Sequence, residues 1–373
     1  MVLIVLMLYK CTVMQKQPFA TPISQIKGRG SATRLAHRFE RNAREPFDDG
    51  WTADPEQATR LATTWTWEDA KSAISRNNSP DIGFDRSINP YRGCEHGCSY
   101  CYARPSHSYL GLSPGLDFET RLIAKRGLAD RLRHELASPR YTPGMMALGT
   151  VTDAYQPLDR ELRLTREVLQ VLHDCHHPMA VVTKGSGIER DIDLLAPMAA
   201  RRQAGVYVSV TTLDADLARR MEPRAAAPWR RLRTIRTLAD AGIPVGVSVS
   251  PQIPFINDDM EQVLEAARDA GATSAFYVVL RLPWELAPLF RQWLDLHYPD
   301  RAARVMARMH DLHGGKDYDA SFATRRSGQG IWADLIAQRF DKACRRLGLN
   351  RRRHDWNVDG FKAPSTVGQL GLF

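Results

Sequence analysis

Three cysteines on one short loop are the residues of this sequence with the clearest capacity for chemistry. Cys94, Cys98 and Cys101 are spaced C-x3-C-x2-C within the stretch Ser87–Pro105. Thiolates are metal ligands, and three that lie this close in sequence can converge on one compact centre. The stretch also contains two glycines, which let the backbone turn tightly beside such a centre. The spacing therefore predicts a metal centre held by three thiolates.

Two kinds of metal centre are compatible with three cysteines. A zinc ion needs a fourth ligand, and His96 or His107 is available for that place. Zinc sites usually pair their cysteines in two separated C-x2-4-C knuckles, however, and the sequence has no second knuckle. Iron–sulfur clusters are held by cysteine thiolates. We favour the cluster and keep zinc as the alternative.

From Asp85 onward, the sequence pattern predicts short strands that alternate with helices, and these elements must position the loop. Six strands are predicted, at 117–125, 145–151, 179–183, 205–211, 244–249 and 274–280. The intervening helices are predicted at 128–136, 160–175, 188–203, 229–241 and 260–270. Such alternation implies βαβ units and a parallel sheet. The predicted fold class is α/β, and six such units suit a partial (β/α)6 barrel of the TIM type better than a doubly wound sheet.

The regions that flank the barrel, assigned to 85–282, differ from it in pattern. Residues 1–84 are polar and basic with poor periodicity, which predicts an N-terminal arm wrapped on the body or partly disordered. We assign 283–350 to a helical C-terminal extension and 351–373 to a flexible tail. The apolar run 2–9 is too short to span a bilayer, and we interpret it as a frayed or mis-assigned start. We expect no membrane anchor.

Composition is that of a soluble globular protein with a basic surface. Hydrophobic residues make up 43% of the chain and charged residues 25%, which is typical of that class. The net charge of +9 favours a polyanionic partner. The other cysteines, Cys11, Cys175 and Cys344, are scattered and suggest no disulfide framework. Their pattern fits a reducing cytosol, so we expect a cytoplasmic protein.

Polar residues lie at or just beyond the ends of three successive predicted strands. They are Thr152 with Asp153, then Lys184, then Ser209. Because the carboxyl ends of parallel strands meet at one edge of a barrel, we expect these side chains to gather there. Hydroxyls and a carboxylate suit a ribose, and an ammonium group suits a carboxylate. The pattern predicts a site for a zwitterionic ligand that carries a ribose.

The cysteine spacing, with Tyr100 directly before the third cysteine, resembles the signature of the radical SAM superfamily. In that superfamily the three thiolates bind three irons of a [4Fe–4S] cluster. The fourth iron binds S-adenosylmethionine, from which the radical is made. The resemblance implies that Cys94, Cys98 and Cys101 hold such a cluster.

The order of later motifs resembles the spore photoproduct lyase branch of this superfamily, over about residues 87–282. Those motifs are T-D, T-K, S-x-x, E-P and AGIPVGVSVSP. The resemblance implies S-adenosylmethionine contacts from Thr152, Asp153, Lys184 and Ser209, and it implies that Tyr100 flanks the adenine. Three further segments, YARPSHSYLGL, TDAYQP and LRLPWE, instead resemble a sister family of photolyase-like bacterial proteins, for which the resemblance gives no substrate.

One position departs from the spore photoproduct lyases. Those enzymes carry a cysteine at the position that aligns with Thr150, and that cysteine returns a hydrogen atom to the product radical. A threonine O–H bond is too strong for this transfer. The departure argues against repair of the spore photoproduct itself, and Tyr155 and Tyr109 are our candidates for the hydrogen donor.

The last five residues, QLGLF, resemble the pentapeptide by which bacterial polymerases and repair proteins dock on the DNA sliding clamp. In that mode Leu372 and Phe373 fill an apolar pocket, and Gln369 hydrogen-bonds at its rim, with Leu370 between them. Short motifs arise by chance. The alternative is a tail that folds back on the barrel.

These observations predict a radical SAM enzyme, a lyase in the manner of the branch that it resembles. An external electron donor reduces the cluster, S-adenosylmethionine is cleaved to a 5′-deoxyadenosyl radical, and the radical takes a hydrogen atom from a substrate. We expect DNA, most plausibly a DNA lesion. The alternatives are radical modification of RNA or a peptide, and a non-catalytic iron–sulfur or zinc module that binds DNA. A flavin photolyase is disfavoured, because the sequence has no G-x-G-x-x-G of the flavin type.

Overall fold

Ten strands form two sheets in the computed structural model, which describes residues 24–40, 61–352 and 354–365. The strands are β1 (Thr64–Asp69), β2 (Ser75–Arg76), β3 (Arg86–Ile88), β4 (Tyr91–Arg92), β5 (Arg121–Arg126), β6 (Met146–Leu148), β7 (Met179–Thr183), β8 (Ala204–Ser209), β9 (Val245–Ser248) and β10 (Ser274–Phe276). The larger sheet has the order β10-β9-β8-β7-β6-β3-β2. Its first six strands are parallel and β2 is antiparallel to β3. The smaller sheet has the order β1-β5-β4.

The same residues form eleven α-helices. They are α1 (Leu116–Thr120), α2 (Leu128–Leu136), α3 (Asp159–Leu162), α4 (Leu164–Asp174), α5 (Ile192–Ala200), α6 (Ala215–Met221), α7 (Pro228–Asp240), α8 (Met260–Asp269), α9 (Leu286–His297), α10 (Pro299–Leu312) and α11 (Ile331–Leu347). Two 3-10 helices, Arg104–Leu110 and Ser186–Asp191, lie beside the candidate site. None of these helices combines the length and the apolar character that a bilayer crossing requires.

The larger sheet and its helices are the predicted partial (β/α)6 barrel. Its strands carry apolar residues on both faces: Met179 and Val181 on one face of β7 and Ala180 on the other are buried. The helices bury one apolar stripe each, for example Val168 and Leu172 of α4. This core fixes the strand ends from which the site is built.

One predicted strand belongs elsewhere. The segment 117–125 begins with the short helix α1 and then forms β5 of the smaller sheet, while β3 supplies the first parallel strand of the barrel. The segment looks like one apolar strand because α1 is a single buried turn. Its carboxylates, Asp117 and Glu119, are buried where they meet cationic partners.

The described part of the N-terminal arm lies against the barrel. Leu116 N donates to the Thr33 carbonyl over 3.1 Å, and Arg38 forms a 2.7 Å ion pair with Glu285 beyond β10. Strand β1 also falls in the region that the sequence left without elements. Its T-W-T-W alternation is hard to assign because neither face of this edge strand is fully buried.

The C-terminal helices share a second apolar core with the cysteine loop. Phe290 and Trp293 of α9 stack with 5.5 Å between ring centroids. Met221 and Leu280 pack into the same cluster, and Cys98 lies at its border. The extension α9–α11 therefore packs into the same apolar core as Cys98 and Tyr100 of the loop.

Candidate functional site

The cysteine loop, residues 94–101, is fixed by backbone hydrogen bonds to three parts of the fold. Cys94 N donates to the Phe118 carbonyl of α1 over 2.9 Å. Ser99 N donates to the Met221 carbonyl of α6 over 2.9 Å. The buried Gln156 side chain accepts from the backbone N–H of residue 95 over 2.9 Å. The loop is therefore held in place by protein contacts of its own.

A buried ion pair joins the loop to α1 and to the arm. The fully buried Arg104 donates to the carbonyls of Cys98 and Gly97, and its Nη2 lies 2.5 Å from Glu119 Oε1. Glu119 also accepts from the backbone N–H groups of residues 30 and 31 over 2.9 and 2.8 Å. One carboxylate thus connects three segments that are distant in sequence.

The arm approaches the loop so closely that glycine is required on both sides. A Cβ on Gly30 would lie 1.7 Å from the Gly97 carbonyl oxygen. A Cβ on Gly97, whose φ is +66°, would lie 2.6 Å from Glu119 Oε2. Both positions exclude a side chain, and the second also favours glycine through its left-handed backbone.

The three cysteines of the loop are free thiols held near one another. Cys94 and Cys98 are buried and Cys101 is half-buried. Burial raises the pKa of Cys94 well above its usual range, and the charges of Asp153 and Cys98 raise it further. Burial likewise raises the pKa of Cys98 to about 12, against the lowering effect of Lys184. Three thiolates in this setting require a cationic centre to compensate their charge.

The histidines of the zinc alternative point elsewhere. His107 Nε2 lies 3.1 Å from the Arg121 carbonyl, and its ring meets Phe118 edge-on at 5.1 Å. His96 Nδ1 lies 3.2 Å from Asp153 Oδ2. Within the described ranges no three His, Cys, Asp or Glu side chains are grouped as ligands of one ion.

Asp153 is engaged by the protein on both carboxylate oxygens. Oδ1 accepts from Tyr155 N over 2.8 Å and from Thr183 Oγ1 over 2.6 Å. Oδ2 accepts from Lys184 N over 2.7 Å and lies beside His96. Although burial opposes ionisation, His96 and these donors hold the pKa of the carboxyl well below its usual range. The geometry gives this carboxylate a positioning role at the ends of β6 and β7.

Two predicted ligand contacts retain free polar atoms. Thr152 is buried, and its hydroxyl oxygen has no hydrogen-bond partner among the described residues. Lys184 is half-buried, with Nζ 5.7 Å from the centre of the Tyr100 ring and no carboxylate in contact within the described ranges. Burial lowers the pKa of Lys184, but the charges of Cys98 and Glu222 outweigh this and raise it. A half-buried ammonium and an unpartnered buried hydroxyl are suited to a polar ligand.

Tyr100 belongs to a buried network that the sequence did not reveal. Its hydroxyl donates to Glu222 and lies 3.3 Å from Thr211 Oγ1. Glu222 also accepts from Arg231, which in turn donates to the Ser209 carbonyl over 3.0 Å. Burial opposes ionisation of Glu222, yet the charges of Arg231 and Lys184 lower its pKa to about 2. This network, Tyr100–Glu222–Arg231, fixes the floor of the site and the end of β8.

The two tyrosines predicted as hydrogen donors have other contacts. The buried hydroxyl of Tyr155 donates to Asp191 Oδ2 over 3.1 Å, and its ring lies beside Gly187. Tyr109 is 68% exposed, with its ring centroid 5.2 Å from that of Phe39. Neither hydroxyl is directed at the cysteine loop by these contacts. Their catalytic role stays a prediction without support from the geometry.

Tyr102 is the tyrosine that sequence reasoning missed. It directly follows Cys101, and its hydroxyl donates to the Thr150 carbonyl. The guanidinium of Arg281 lies 4.3 Å from its ring centre. The signal was available in the sequence, because Tyr102 follows a cluster cysteine as directly as Tyr100 precedes it. The segment 369–373, predicted to bind a sliding clamp, lies outside the described residues.

Comparison with known proteins agrees with this site. The model of the radical SAM superfamily matches residues 88–269, a range that includes the cysteine loop and β6 to β9. An uncharacterized protein of Mycobacterium tuberculosis is 35% identical over 238 residues, which are 63% of this chain and 70% of that protein. An uncharacterized protein of Methanocaldococcus jannaschii is 25% identical over 62% of this chain and 82% of its own length.

Two solved structures are also similar. Spore photoproduct lyase with bound AdoMet and dinucleoside spore photoproduct is 14% identical, with a TM-score of 0.49 over 76% of this chain and 78% of that chain. Streptococcus suis SuiB bound to S-adenosylmethionine is 10% identical, with a TM-score of 0.43 over 71% of this chain and 48% of that chain.

The family match and the α/β barrel with its cysteine loop lead to the same assignment. Enzymes of this family use an external electron donor. The cofactors predicted from the sequence, a [4Fe–4S] cluster and S-adenosylmethionine, are those of the family, so that prediction is confirmed. The chain belongs to the radical SAM superfamily.

Proposed function

We propose that this protein uses its cluster and S-adenosylmethionine to abstract a hydrogen atom from a nucleic-acid substrate, a DNA lesion. The observation that carries the proposal is the convergence of the cysteine loop with the polar ends of β6, β7 and β8. The net charge of +9 supports a polyanionic substrate. The resemblance of the motifs to the spore photoproduct lyase branch supports DNA.

In this proposal Cys94, Cys98 and Cys101 hold three irons of the cluster. Three free thiols lie on one loop, and because burial disfavours their charged form, thiolates there need a cationic centre to compensate their charge. His96 and His107, the candidate fourth ligands of a zinc ion, have other partners, which disfavours zinc. When bound, the cluster supplies the electron that cleaves S-adenosylmethionine to the 5′-deoxyadenosyl radical. The protein contributes rigidity to this loop through Arg104 and Glu119.

The chain's own residues bind and orient the second cofactor. Lys184 carries the charge suited to the methionine carboxylate, since its ammonium has no carboxylate partner in the described part of the chain. Thr152 offers an unpartnered buried hydroxyl. Asp153, whose oxygens are already engaged, holds the backbone at Lys184 rather than contacting a ribose. Ser209 and Tyr100 complete the predicted contacts.

Tyr102 is our candidate for the hydrogen donor in place of the missing cysteine at Thr150. Its hydroxyl already donates to the Thr150 carbonyl beside Cys101. A phenol O–H bond is weaker than that of threonine, so it can pass a hydrogen atom to a carbon radical. The resulting phenoxyl radical takes an electron from the external donor and a proton from water. We expect Tyr102→Phe to release 5′-deoxyadenosine while forming less product.

The experiment that tests the proposal measures 5′-deoxyadenosine. Reconstituted, reduced protein is incubated with S-adenosylmethionine and damaged oligonucleotides deuterated at candidate positions. We expect release of 5′-deoxyadenosine from wild type, loss of it in Cys98→Ala, and deuterium transfer from the true substrate. No release from wild type, or equal release from Cys98→Ala, would refute radical chemistry. Release without deuterium transfer from any oligonucleotide, but with transfer from RNA or a peptide, would move the substrate to that class.

The C-terminal QLGLF motif adds a proposed partner, the DNA sliding clamp. The proposal is carried by the sequence of residues 369–373 alone. Removal of Leu372 and Phe373 should abolish pull-down by the clamp and leave 5′-deoxyadenosine release unchanged. Clamp binding that survives this deletion would end the idea.

A further inference from the structure

An exposed cluster of aromatic rings surrounds one arginine beside the site. The guanidinium of Arg38 lies 4.7 Å from the ring centre of Phe39, 4.9 Å from that of Tyr109 and 4.4 Å from that of Trp284. The three residues are 51%, 68% and 63% exposed. We call these four residues the aromatic platform. Large rings left in solvent around a cation are unusual on a surface without a partner.

The aromatic platform is built from three separate segments, which the fold fastens together. Arg38 comes from the arm, Tyr109 from the 3-10 helix after the cysteine loop, and Trp284 from the segment after β10. Glu285 accepts from Arg38 Nη1 over 2.7 Å and from Ser108 Oγ over 3.3 Å. Trp284 has a φ of +47°, a conformation that non-glycine residues rarely adopt. Strain of this kind is typical of functional positions.

A second cation connects the aromatic platform to the site itself. Arg281, three residues before Trp284, stacks on Tyr102 at 4.3 Å, and Tyr102 follows Cys101. Within the described residues Arg281 has no carboxylate partner. An unpaired guanidinium here is suited to a phosphate.

Exposed rings and a guanidinium without a carboxylate partner in the described part of the fold, that of Arg281, are the two kinds of group that bind single-stranded nucleic acid. Bases of an unpaired strand stack on exposed aromatic side chains, while arginines take the phosphates between them. The bases of a duplex are already stacked on one another, so their faces are not available to protein side chains. A substrate atom that reacts inside a barrel must likewise leave the duplex stack. The net charge of +9 adds attraction for the strand.

From this geometry we infer that the aromatic platform and Arg281 form a binding site for single-stranded DNA that leads to the cluster loop. The inference rests on the proposed function, because it names how that substrate is held. Bases next to the reacting nucleotide stack on Trp284, Tyr109 and Phe39. Arg281 binds a phosphate between the aromatic platform and Tyr102.

The test is a binding measurement on the reconstituted protein without S-adenosylmethionine. Fluorescence anisotropy follows a labelled oligothymidylate of about ten nucleotides, a length within the range of single-strand sites. We expect Trp284→Ala to weaken binding about tenfold and Trp284→Phe to stay within about threefold of wild type. Arg281→Gln should reduce the slope of log affinity against log salt by about 0.7, the value for one phosphate on a single strand.

Trp67 supplies the matched control, because it is also exposed and also carries an arginine, Arg126, over its ring at 5.5 Å. It lies on β1 of the smaller sheet, and Trp67→Ala should bind like wild type. Unchanged binding by Trp284→Ala, an equal loss in Trp67→Ala, or tighter binding of a duplex of the same length would overturn the inference. Because the assay contains no S-adenosylmethionine, failure of the radical chemistry would leave its result intact.

Discussion

A single buried carboxylate organises the floor of the site. Glu222 accepts from Tyr100, Thr211 and Arg231, so its negative charge is fully used by neighbours. Burial lowers the pKa of Lys184, but the charge of Glu222 helps to raise it although the two side chains are not in contact. The ammonium group therefore stays protonated and remains free for a ligand. Glu222 thus supplies the negative charge near Lys184, and Tyr100, Thr211 and Arg231 hold Glu222 in place.

The role of Lys184 is testable by removing its charge. Lys184→Met should weaken S-adenosylmethionine binding roughly tenfold or more, since a hydrogen bond to a charged group contributes about 1.5–3 kcal/mol. Equilibrium dialysis of the reconstituted protein measures the binding. The exposed Lys71→Met is the control, and iron content should be the same in all three proteins. Full binding by Lys184→Met would assign the cofactor carboxylate to another residue.

Glu222→Gln tests the network beneath the site. The substitution leaves the buried Arg231 without its counter-charge, and breaking such a pair costs roughly 3–5 kcal/mol of unfolding free energy. Urea unfolding measures the change. Glu265→Gln is the matched control, because Glu265 pairs with Arg346 at 3.7 Å on the surface and should change stability by less than about 1 kcal/mol. Similar losses in both variants would contradict a buried role for the pair.

Sequence reasoning selects candidate residues that lie within a few adjacent positions. The cysteine spacing and the polar strand ends belong to this kind, since one segment carries each of them. The partners of Tyr100 and Arg104 could not be read in this way, because Glu222 lies 122 residues from Tyr100 and Glu119 lies 15 residues from Arg104. A buried charge pair is specified by tertiary contact and has no local spacing.

At the scale of elements, the arm acts as a strap across the cysteine loop. Its residues 30 and 31 bond Glu119, and the same carboxylate bonds Arg104 beneath the loop. The periodicity of the barrel helices and strands was readable from the sequence, and α2 and β7 have the predicted bounds. The sequence predicted an arm wrapped on the body or partly disordered, but it could not identify which arm residues contact the loop, because their backbone contacts leave no hydrophobic period.

Gly30→Ala should disrupt the contact between the arm and the cysteine loop. The added Cβ would lie 1.7 Å from the Gly97 carbonyl oxygen, and backbone on both sides prevents an easy escape. We expect a loss of roughly 1–3 kcal/mol in unfolding free energy, as in overpacked cores, and lower iron content after reconstitution. Gly83→Ala is the control, since its Cβ meets nothing within 4 Å. Equal iron content and stability in both variants would contradict the strap.

At the scale of the whole molecule, the free energy of unfolding depends on pH through two buried histidines. One lies in the 3-10 helix after the cysteine loop, and the other lies at the amino end of β7. Burial lowers the pKa of His107 and of His177 to about 4 from the ordinary 6.5. His177 Nε2 lies 2.6 Å from the Tyr141 hydroxyl, and its Nδ1 lies 3.0 Å from the Pro178 carbonyl. Both rings are neutral in the folded chain at physiological pH.

These pKa shifts predict a loss of stability in weak acid. Between the two pKa values the unfolded chain binds protons that the folded chain does not, so the free energy of unfolding falls as pH drops from 6.5 to about 4. Each histidine contributes about 2 kcal/mol of that loss between about pH 7 and pH 5. Urea unfolding at both pH values should show a smaller loss for His177→Gln. The exposed His134→Gln should lose as much as wild type, and an equal loss in all three proteins would contradict the assignment.

The strap connects the cysteine loop in the interior with the aromatic platform on the outer surface. The described arm touches the cysteine loop at Gly30, and a few residues later it presents Arg38 and Phe39 to solvent. Thermodynamic linkage is reciprocal, so whatever orders one end of this strip favours order at the other. Protein loaded with iron and sulfide should therefore bind single strands more tightly than the stripped chain, and bound strands should slow the loss of iron.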